Sequence, residues 1–108
     1  MEAPETVVPE QVKAYNEHDL ERFVGTYADD VEVVGRDGRV VRGHSGLRQT
    51  YGPLFAIGSV HAEILGHLTC GEWVVDYERA SASSRPPIEV LVAYRVSAGR
   101  IVLVRMLG

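Results

Sequence analysis

The sequence predicts an α+β domain in which three helices pack against a mainly antiparallel β-sheet. Apolar residues recur at helical spacing in three stretches before Gly58, whereas after Gly58 they alternate with a period of two. The turns between the later β-like runs are only a few residues long, so successive strands are expected to be antiparallel neighbours. A chain of 108 residues supports one core. We therefore predict a single domain over residues 1–108.

The helices are predicted in the first half of the chain, after a loose tail at residues 1–5. The first helix is predicted over 6–16. A break follows, and Asp19 is a good N-cap for a second helix over 20–27. A third helix is predicted over 43–58. The first two helices are separated by only a few residues, so we expect them to meet at an angle.

Six strands are predicted from alternating apolar residues and turn signals. An Asp-Gly pair at residues 37–38 lies between two short β-like runs, which is typical of a hairpin. The predicted strands cover residues 31–35, 39–42, 59–69, 73–82, 88–96 and 100–107.

The strand over 73–82 has two distinct faces. One face carries Trp73, Val75, Tyr77, Arg79 and Ser81, and the other carries Val74, Asp76, Glu78 and Ala80. We expect the aromatic set to face the helices. The carboxylates of the other set, with Glu89 on the next strand, are expected to face solvent.

The last two strands are apolar on both faces. Leu91 and Ala93 lie between inward-facing residues of one strand, and Leu103 and Leu107 have the same position on the other. Helices can cover only one face of the sheet, so the outer face is expected to meet a partner. We predict a homodimer through the outer face of the sheet.

The composition restricts the possible binding partners and the cellular compartment of the protein. A net charge of −4 and a pI of about 5.5 argue against binding to nucleic acid or to an anionic membrane. The sequence has no membrane-spanning run, and its first residues are acidic where a secretory signal would be basic. Cys70 is the single cysteine and cannot form an internal disulfide. We therefore expect a cytoplasmic protein.

The order of the elements, with the segments AYNEHDLERFVGTYADDVEVV, RGHSGLRQTYGPLF and VAYRVSAGRIVLVRMLG, resembles the SnoaL-like members of the nuclear-transport-factor-2-like superfamily. Ketosteroid isomerases and polyketide cyclases belong to the same superfamily. The resemblance covers nearly the whole chain, and its motifs are structural. It implies a cone, in which a strongly curved sheet wraps around the helices and encloses one apolar pocket, usually in a dimer.

The catalytic positions that the resemblance implies are replaced in this chain. The carboxylate base of ketosteroid isomerase corresponds to Gly35, its oxyanion-hole tyrosine to Gln11, and its protonated aspartate to Val92. SnoaL-type cyclases also use an acidic residue near the position of Val92. Neither reaction is expected here by the same residues.

The resemblance also implies which side chains line the pocket. A buried phenol either presents its hydroxyl to a ligand or bonds within the core. Arg79, on an otherwise apolar face, is expected to meet a carboxylate of the protein or of a ligand, or to reach solvent at the mouth of the cone. The predicted ligand-binding residues are Gln11, Tyr15, Tyr27, Tyr51, Phe55, Trp73, Tyr77, Arg79, Val92, Tyr94 and Met106.

His44 is the best placed histidine for proton transfer, because the start of the third helix borders the sheet in the resembling fold. The alternative is that it packs or caps that helix start. His61 and His67 are about 20 Å apart along one strand at ~3.3 Å per residue, so they cannot share a metal. No spaced Cys or His motif is present. We expect neither a metal nor a cofactor.

Three functions remain open from the sequence. The first is binding of a small, largely apolar molecule with an anionic or hydrogen-bonding group near Arg79 and the tyrosines. The second is a cofactor-independent isomerase, cyclase or dehydratase with a rearranged acid–base set. The third is a dimeric scaffold whose pocket is filled by its own side chains.

Overall fold

The computed structural model describes residues 3–108 and confirms the α+β class, with three helices and six strands in that range. No helix in the described range is both long enough and apolar enough to cross a membrane. The elements are α1 (Pro4–Asn16), α2 (Leu20–Gly25), β1 (Tyr27–Val34), β2 (Val40–Arg42), α3 (Gly43–Ile57), β3 (His61–Cys70), β4 (Trp73–Ala82), β5 (Arg85–Ser97) and β6 (Arg100–Leu107).

The six strands form one curved, unclosed sheet in the order β2-β1-β6-β5-β4-β3. Strands β1 and β6 are parallel, and every other neighbouring pair is antiparallel. The mainly antiparallel sheet is thus confirmed. All three helices contact the sheet or each other on its concave side, which we call the inner face. The opposite side is the outer face.

Helix α1 begins earlier than predicted. It starts at Pro4, whereas the prediction placed its cap at Thr6 and a loose tail over residues 1–5. Proline has a fixed φ that suits the first helical turn, where its missing N–H leaves no bond unmade. Residues 1–2 of the predicted tail lie outside the described residues.

Helix α2 ends earlier than predicted, at Gly25, and Tyr27 is the first residue of β1. The amide of Ile101 in β6 donates to the carbonyl of Thr26 at 2.9 Å. The parallel pairing with β6 therefore takes over where the helix stops. The predicted cap is confirmed, because the Asp19 side chain accepts a hydrogen bond from the Arg22 amide at 3.3 Å.

The end of α1 is fastened to β3 by a pair of hydrogen bonds. The Asn16 side chain donates to the carbonyl of Ala62 at 2.9 Å and accepts from the amide of Ala62 at 2.8 Å. The ring of His18 bonds the carbonyl of Val60 at 2.8 Å. These contacts hold the α1–α2 junction at the end of the sheet where β3 forms the edge.

The core lies between the helices and the inner face. Phe23 of α2, Leu47 of α3 and Ile101 of β6 are fully buried. Val8 of α1 and Val31 of β1 complete the same cluster. The apolar stripes of the three helices therefore pack against the inner face of the sheet, as predicted.

Strand β5 begins three residues before its predicted start at Ile88. The additional residues include Pro86 and Pro87, which have no amide hydrogen. Pairing with β6 starts only at Leu91, so this part of β5 has one unpaired edge. Proline is tolerated in a strand at such an edge.

Candidate functional site

Strand β4 presents Val74, Asp76 and Glu78 to the inner face, and all three are buried. The opposite parity was predicted for β4, and that prediction was wrong. Val74 pairs with Tyr94 and Glu78 with Val90 on β5. Directly paired residues share a face, so the inward residues of β5 determine which residues of β4 face inward.

Trp73, Tyr77 and Arg79 consequently lie on the outer face and do not line a pocket between sheet and helices. Tyr77 is 39% exposed. Arg79 forms ion pairs with Glu63 at 3.4 Å and with Glu89 at 3.2 Å, and the Tyr77 hydroxyl donates to Glu89. The carboxylate partner of Arg79 is therefore the protein's own, as one of the alternatives foresaw.

A cavity of about 180 Å³ lies between the inner face and the helices, and we call it the inner cavity. Seven of the predicted residues line it: Gln11, Tyr15, Tyr27, Tyr51, Val92, Tyr94 and Met106. Apolar residues complete most of the wall, namely Val12, Phe23, Val33, Ala62, Ala80, Ile88, Val90 and Val104. The charged residues of the lining are Glu78, Arg36 and Arg85.

Glu78 is the buried charged group of the inner cavity and is only 7% exposed. The Tyr94 hydroxyl donates to its Oε2 at 3.0 Å. The pKa of Glu78 is raised to about 7, mainly by burial; the hydrogen bond from Tyr94 opposes this increase and the neighbouring carboxylate of Asp76 adds to it. Near neutral pH this carboxyl can therefore both accept and release a proton.

The tyrosines of the inner cavity are neutral hydrogen-bonding groups. Burial raises the pKa of Tyr27, Tyr51 and Tyr94 above the ordinary value of a phenol, and burial also raises that of Tyr15. The ring of Phe55 packs edge-on against Tyr15 with centroids 5.5 Å apart. Phe55 is a core residue behind the cavity wall and is absent from the lining, contrary to the prediction.

Two further polar features belong to the inner cavity. Gln11 is 6% exposed, and its Oε1 has no hydrogen-bond partner among residues 3–108. Its side chain lies beside Tyr27, where it opposes the effect of burial on the pKa of that phenol. Arg36 and Arg85 are exposed residues of the lining, so the cationic groups lie where the cavity meets solvent.

His44 is not brought to the inner cavity. Its Nε2 lies 2.8 Å from the carbonyl oxygen of Tyr27 and 3.8 Å from Oδ1 of Asp29. The histidine thus connects the start of α3 to the backbone of β1, as the packing alternative proposed. Among residues 3–108 no group of three or more His, Cys, Asp or Glu side chains is arranged to hold a metal ion.

Glu78 is the site residue that sequence reasoning missed. Of the three positions expected to correspond to catalytic residues of ketosteroid isomerase, Gln11 and Val92 line the inner cavity and Gly35 does not. The acidic group comes instead from β4, the neighbour of the strand that carries Val92. The alternation of residues along β4 contained the signal, but it was assigned to solvent because charged residues are usually exposed.

The structure resembles known folds over nearly its whole length. An uncharacterised cystatin-fold protein from Novosphingobium aromaticivorans matches with a TM-score of 0.86 and 24% identity, covering 100% of this chain and 99% of the other. A nuclear-transport-factor-2-like protein from Cytophaga hutchinsonii matches with a TM-score of 0.82 and 12% identity, covering 98% and 89%.

An epoxide hydrolase/cyclase-like enzyme with a role in pyran ring formation in the polyether salinomycin has a TM-score of 0.86 and 16% identity. The match covers 96% of this chain and 88% of the enzyme. None of the curated proteins compared matches the sequence. The family model of the SnoaL-like domain matches residues 8–104. The chain therefore belongs to the family of SnoaL-like domains.

Proposed function

We propose that the chain binds a small, largely apolar molecule with one hydrogen-bonding group in the inner cavity. The observation that supports this most directly is the buried Glu78–Tyr94 pair beside the apolar side chains of the wall. A site of this kind orients a ligand by a few polar groups while apolar contacts supply most of the affinity. The volume of about 180 Å³ is below the ~300–1,000 Å³ of drug-sized sites, so the ligand is small.

The polar group of this ligand is expected to be a carbonyl or hydroxyl at the inner end. Protonated Glu78 can donate to a carbonyl oxygen, and ionised Glu78 can accept from a hydroxyl. A ligand anion fits only the exposed end, beside Arg36 and Arg85. This replaces the earlier expectation of an anion at Arg79, which is paired on the outer face.

Binding can be tested with cyclohexanone as the probe and methyl NMR as the readout. We expect shifts at Val90, Val92 and Val104, whose side chains line the inner cavity. Val92→Phe fills the cavity and should abolish these shifts, whereas Leu91→Phe, on the opposite face of the same strand, should leave them unchanged. Equal binding by both variants would contradict the proposal.

A second function, cofactor-independent proton transfer, is favoured by the pKa of Glu78 at about 7 and its 3.0 Å contact with Tyr94. A base with a pKa near the working pH is the most effective in proton transfer. In the simplest reaction the Glu78 carboxylate takes a proton from the carbon next to a bound carbonyl. The carbonyl becomes an enolate, and protonated Glu78 returns a proton to the same carbon or to another.

This reaction predicts exchange of α-hydrogens of cyclohexanone in deuterated water, followed by NMR. The protein should accelerate the exchange over buffer, and Glu78→Gln should lose the acceleration. Glu89→Gln is the matched control, because Glu89 also accepts a bond from a tyrosine but on the outer face. No acceleration by the wild type, or full acceleration by Glu78→Gln, would rule out this function for Glu78.

A scaffold with a self-filled interior is the least favoured alternative, because the inner cavity is not filled by the side chains around it.

We also propose the predicted homodimer through the outer face. Leu68, Leu91 and Leu107 of the outer face are 75%, 41% and 43% exposed. Neighbouring exposed apolar side chains on one face of a sheet are typical of an interface between subunits.

A further inference from the structure

A second cavity lies beside α1, over the part of the inner face that the helix leaves uncovered. Its volume is about 470 Å³, within the usual range for small-molecule sites. We call it the lateral cavity. It shares only Val12 of α1 with the lining of the inner cavity. The residues that carry the argument below are Val8, Val12, Ile64, Val74, Asp76 and Lys13.

One part of the wall of the lateral cavity is formed by apolar side chains. Val8 and Val12 contribute from α1, Ile64 from β3 and Val74 from β4. A ligand that occupies this cavity must therefore have an apolar body to remove these side chains from water. These apolar side chains offer no ligand atoms to a hydrated metal ion.

Asp76 is the unusual group of this wall. It is 4% exposed and lines the lateral cavity, no hydrogen bond or ion pair is formed by its carboxylate within residues 3–108, and the charge of His67 opposes the rise in its pKa that burial causes. A buried carboxylate without a partner is costly, and a bound cation with N–H donors removes that cost. Asp76 therefore provides the place for the positive end of a ligand.

Charged groups of both signs surround Asp76, and Glu17 among them is paired with Arg22. Glu5 and Glu17 on α1 line the same cavity, against Lys13 on α1 and His67 on β3, which pairs with Asp76 across the strands. Glu78, two residues along β4, adds a further carboxyl nearby. Lys13 lines the cavity without an ion pair to Asp76, and His67 is the side chain of the wall whose positive charge lowers the pKa of Asp76.

We propose that the lateral cavity binds a small organic ammonium ion, with the carboxylate of Asp76 as counter-ion and the apolar wall around the alkyl group. The ammonium N–H groups donate to Asp76, and the alkyl group contacts Val8, Ile64 and Val74. This site is separate from the inner cavity and does not depend on the function proposed there.

The test uses cyclohexylammonium as the probe, with cyclohexanol as the neutral molecule of the same shape, in methyl NMR titrations of the full chain slightly above neutral pH. Cyclohexylammonium should shift Val8, Ile64 and Val74 and leave Val90 unchanged. Asp76→Asn should weaken its binding by roughly tenfold or more, because a charge-assisted bond is lost. Binding of cyclohexanol should be weaker and insensitive to the substitution.

A second pair of variants keeps the proposal testable if Asp76→Asn does not fold. Thr69 lines the lateral cavity and is exposed, so Thr69→Trp should fill the cavity and abolish binding without disturbing the core. Leu68→Trp, on the opposite face, is the matched control and should bind normally. The proposal is overturned if the wild type does not bind cyclohexylammonium, if Thr69→Trp binds like wild type, or if the shifts appear only in the inner cavity.

Discussion

Tyr94 donates its phenolic hydrogen to Oε2 of Glu78 at 3.0 Å, from one strand of the sheet to the next. Both groups are buried, so neither can exchange this bond freely for one to water. A carboxyl in this position keeps a raised pKa while remaining hydrogen-bonded. The pair is therefore the feature of the inner cavity whose chemistry can be tested most directly.

Tyr94→Phe should raise the pKa of Glu78 beyond its present value of about 7, because the bond from Tyr94 lowers that pKa. A carbon-detected NMR titration of the glutamate carboxyls measures the shift. Tyr77→Phe is the matched control, since Tyr77 donates to Glu89 on the outer face. It should raise the pKa of Glu89 and leave that of Glu78 unchanged; the reverse pattern would refute the assignment.

The free energy of unfolding should decrease as the pH rises from about 5 to about 7. Folded Glu78 and Asp76, with pKa values of about 7 and about 6, keep protons that the unfolded chain releases near ordinary values of 4.5 and 3.8. The unfolded state binds fewer protons in this range, so rising pH favours unfolding. Each raised pKa corresponds to a decrease of at most roughly 3 kcal/mol in the free energy of unfolding over the full titration range.

Urea unfolding over this pH range measures the effect. Glu78→Gln keeps the hydrogen-bonding capacity of the side chain but cannot ionise, so its stability should change less with pH than that of the wild type. Glu89→Gln should retain the wild-type decrease. Parallel curves for wild type and Glu78→Gln would show that the carboxyl of Glu78 ionises normally in the folded state.

Leu91→Arg should convert the proposed dimer to a monomer, because it places a charge in the apolar outer face. Leu54→Arg on α3 is the matched control: Leu54 is 38% exposed and Leu91 is 41% exposed, but Leu54 lies far from that face in the fold. Light scattering at micromolar concentration gives the mass of each variant. A monomeric wild-type protein would contradict the proposal.

Asn16→Ala should destabilise the fold by about 1–3 kcal/mol, because both polar groups of Ala62 lose their side-chain partner in a partly buried place. Asn16→Asp keeps the acceptor but sets a carboxylate oxygen against the carbonyl oxygen of Ala62, so it should also be destabilising. Chemical unfolding measures both, with Gln49→Ala at an exposed position of α3 as the control. A change within about 0.5 kcal/mol for Asn16→Ala would mean that water replaces the side chain fully.

The fold could be predicted from the sequence because its signals are local. The Asp19 cap, the Asp-Gly hairpin and the change from helical to alternating spacing each depend on a few neighbouring residues. The ends of α1 and α2 could not be predicted as well. Pairing of β1 with β6, more than seventy residues away, determines where α2 stops, and local propensity does not report such a contact.

The inner cavity was predicted only in part for the same reason. The predicted residues of α1, β5 and β6 line the inner cavity, and of the two predicted on α3 Tyr51 lines it while Phe55 packs behind its wall. Both faces of β4 combine apolar and charged residues, so its parity depends on the register with β5. The prediction turned the aromatic face of β4 toward the helices, which placed Tyr77 and Arg79 on the inner face and Asp76 and Glu78 on the outer face. The two buried carboxyls, which carry both proposals, were missed by that single inversion.

Asp76 and Glu78 face two different cavities on either side of Val12, yet the charge of one raises the pKa of the other. Whatever neutralises Asp76, a proton or a bound cation, makes Glu78 a stronger acid. Thermodynamic linkage requires the reverse as well, so ionisation of Glu78 must strengthen the hold of Asp76 on a cation. Two separate compartments of a small domain can in this way communicate through electrostatics alone, without movement of the backbone.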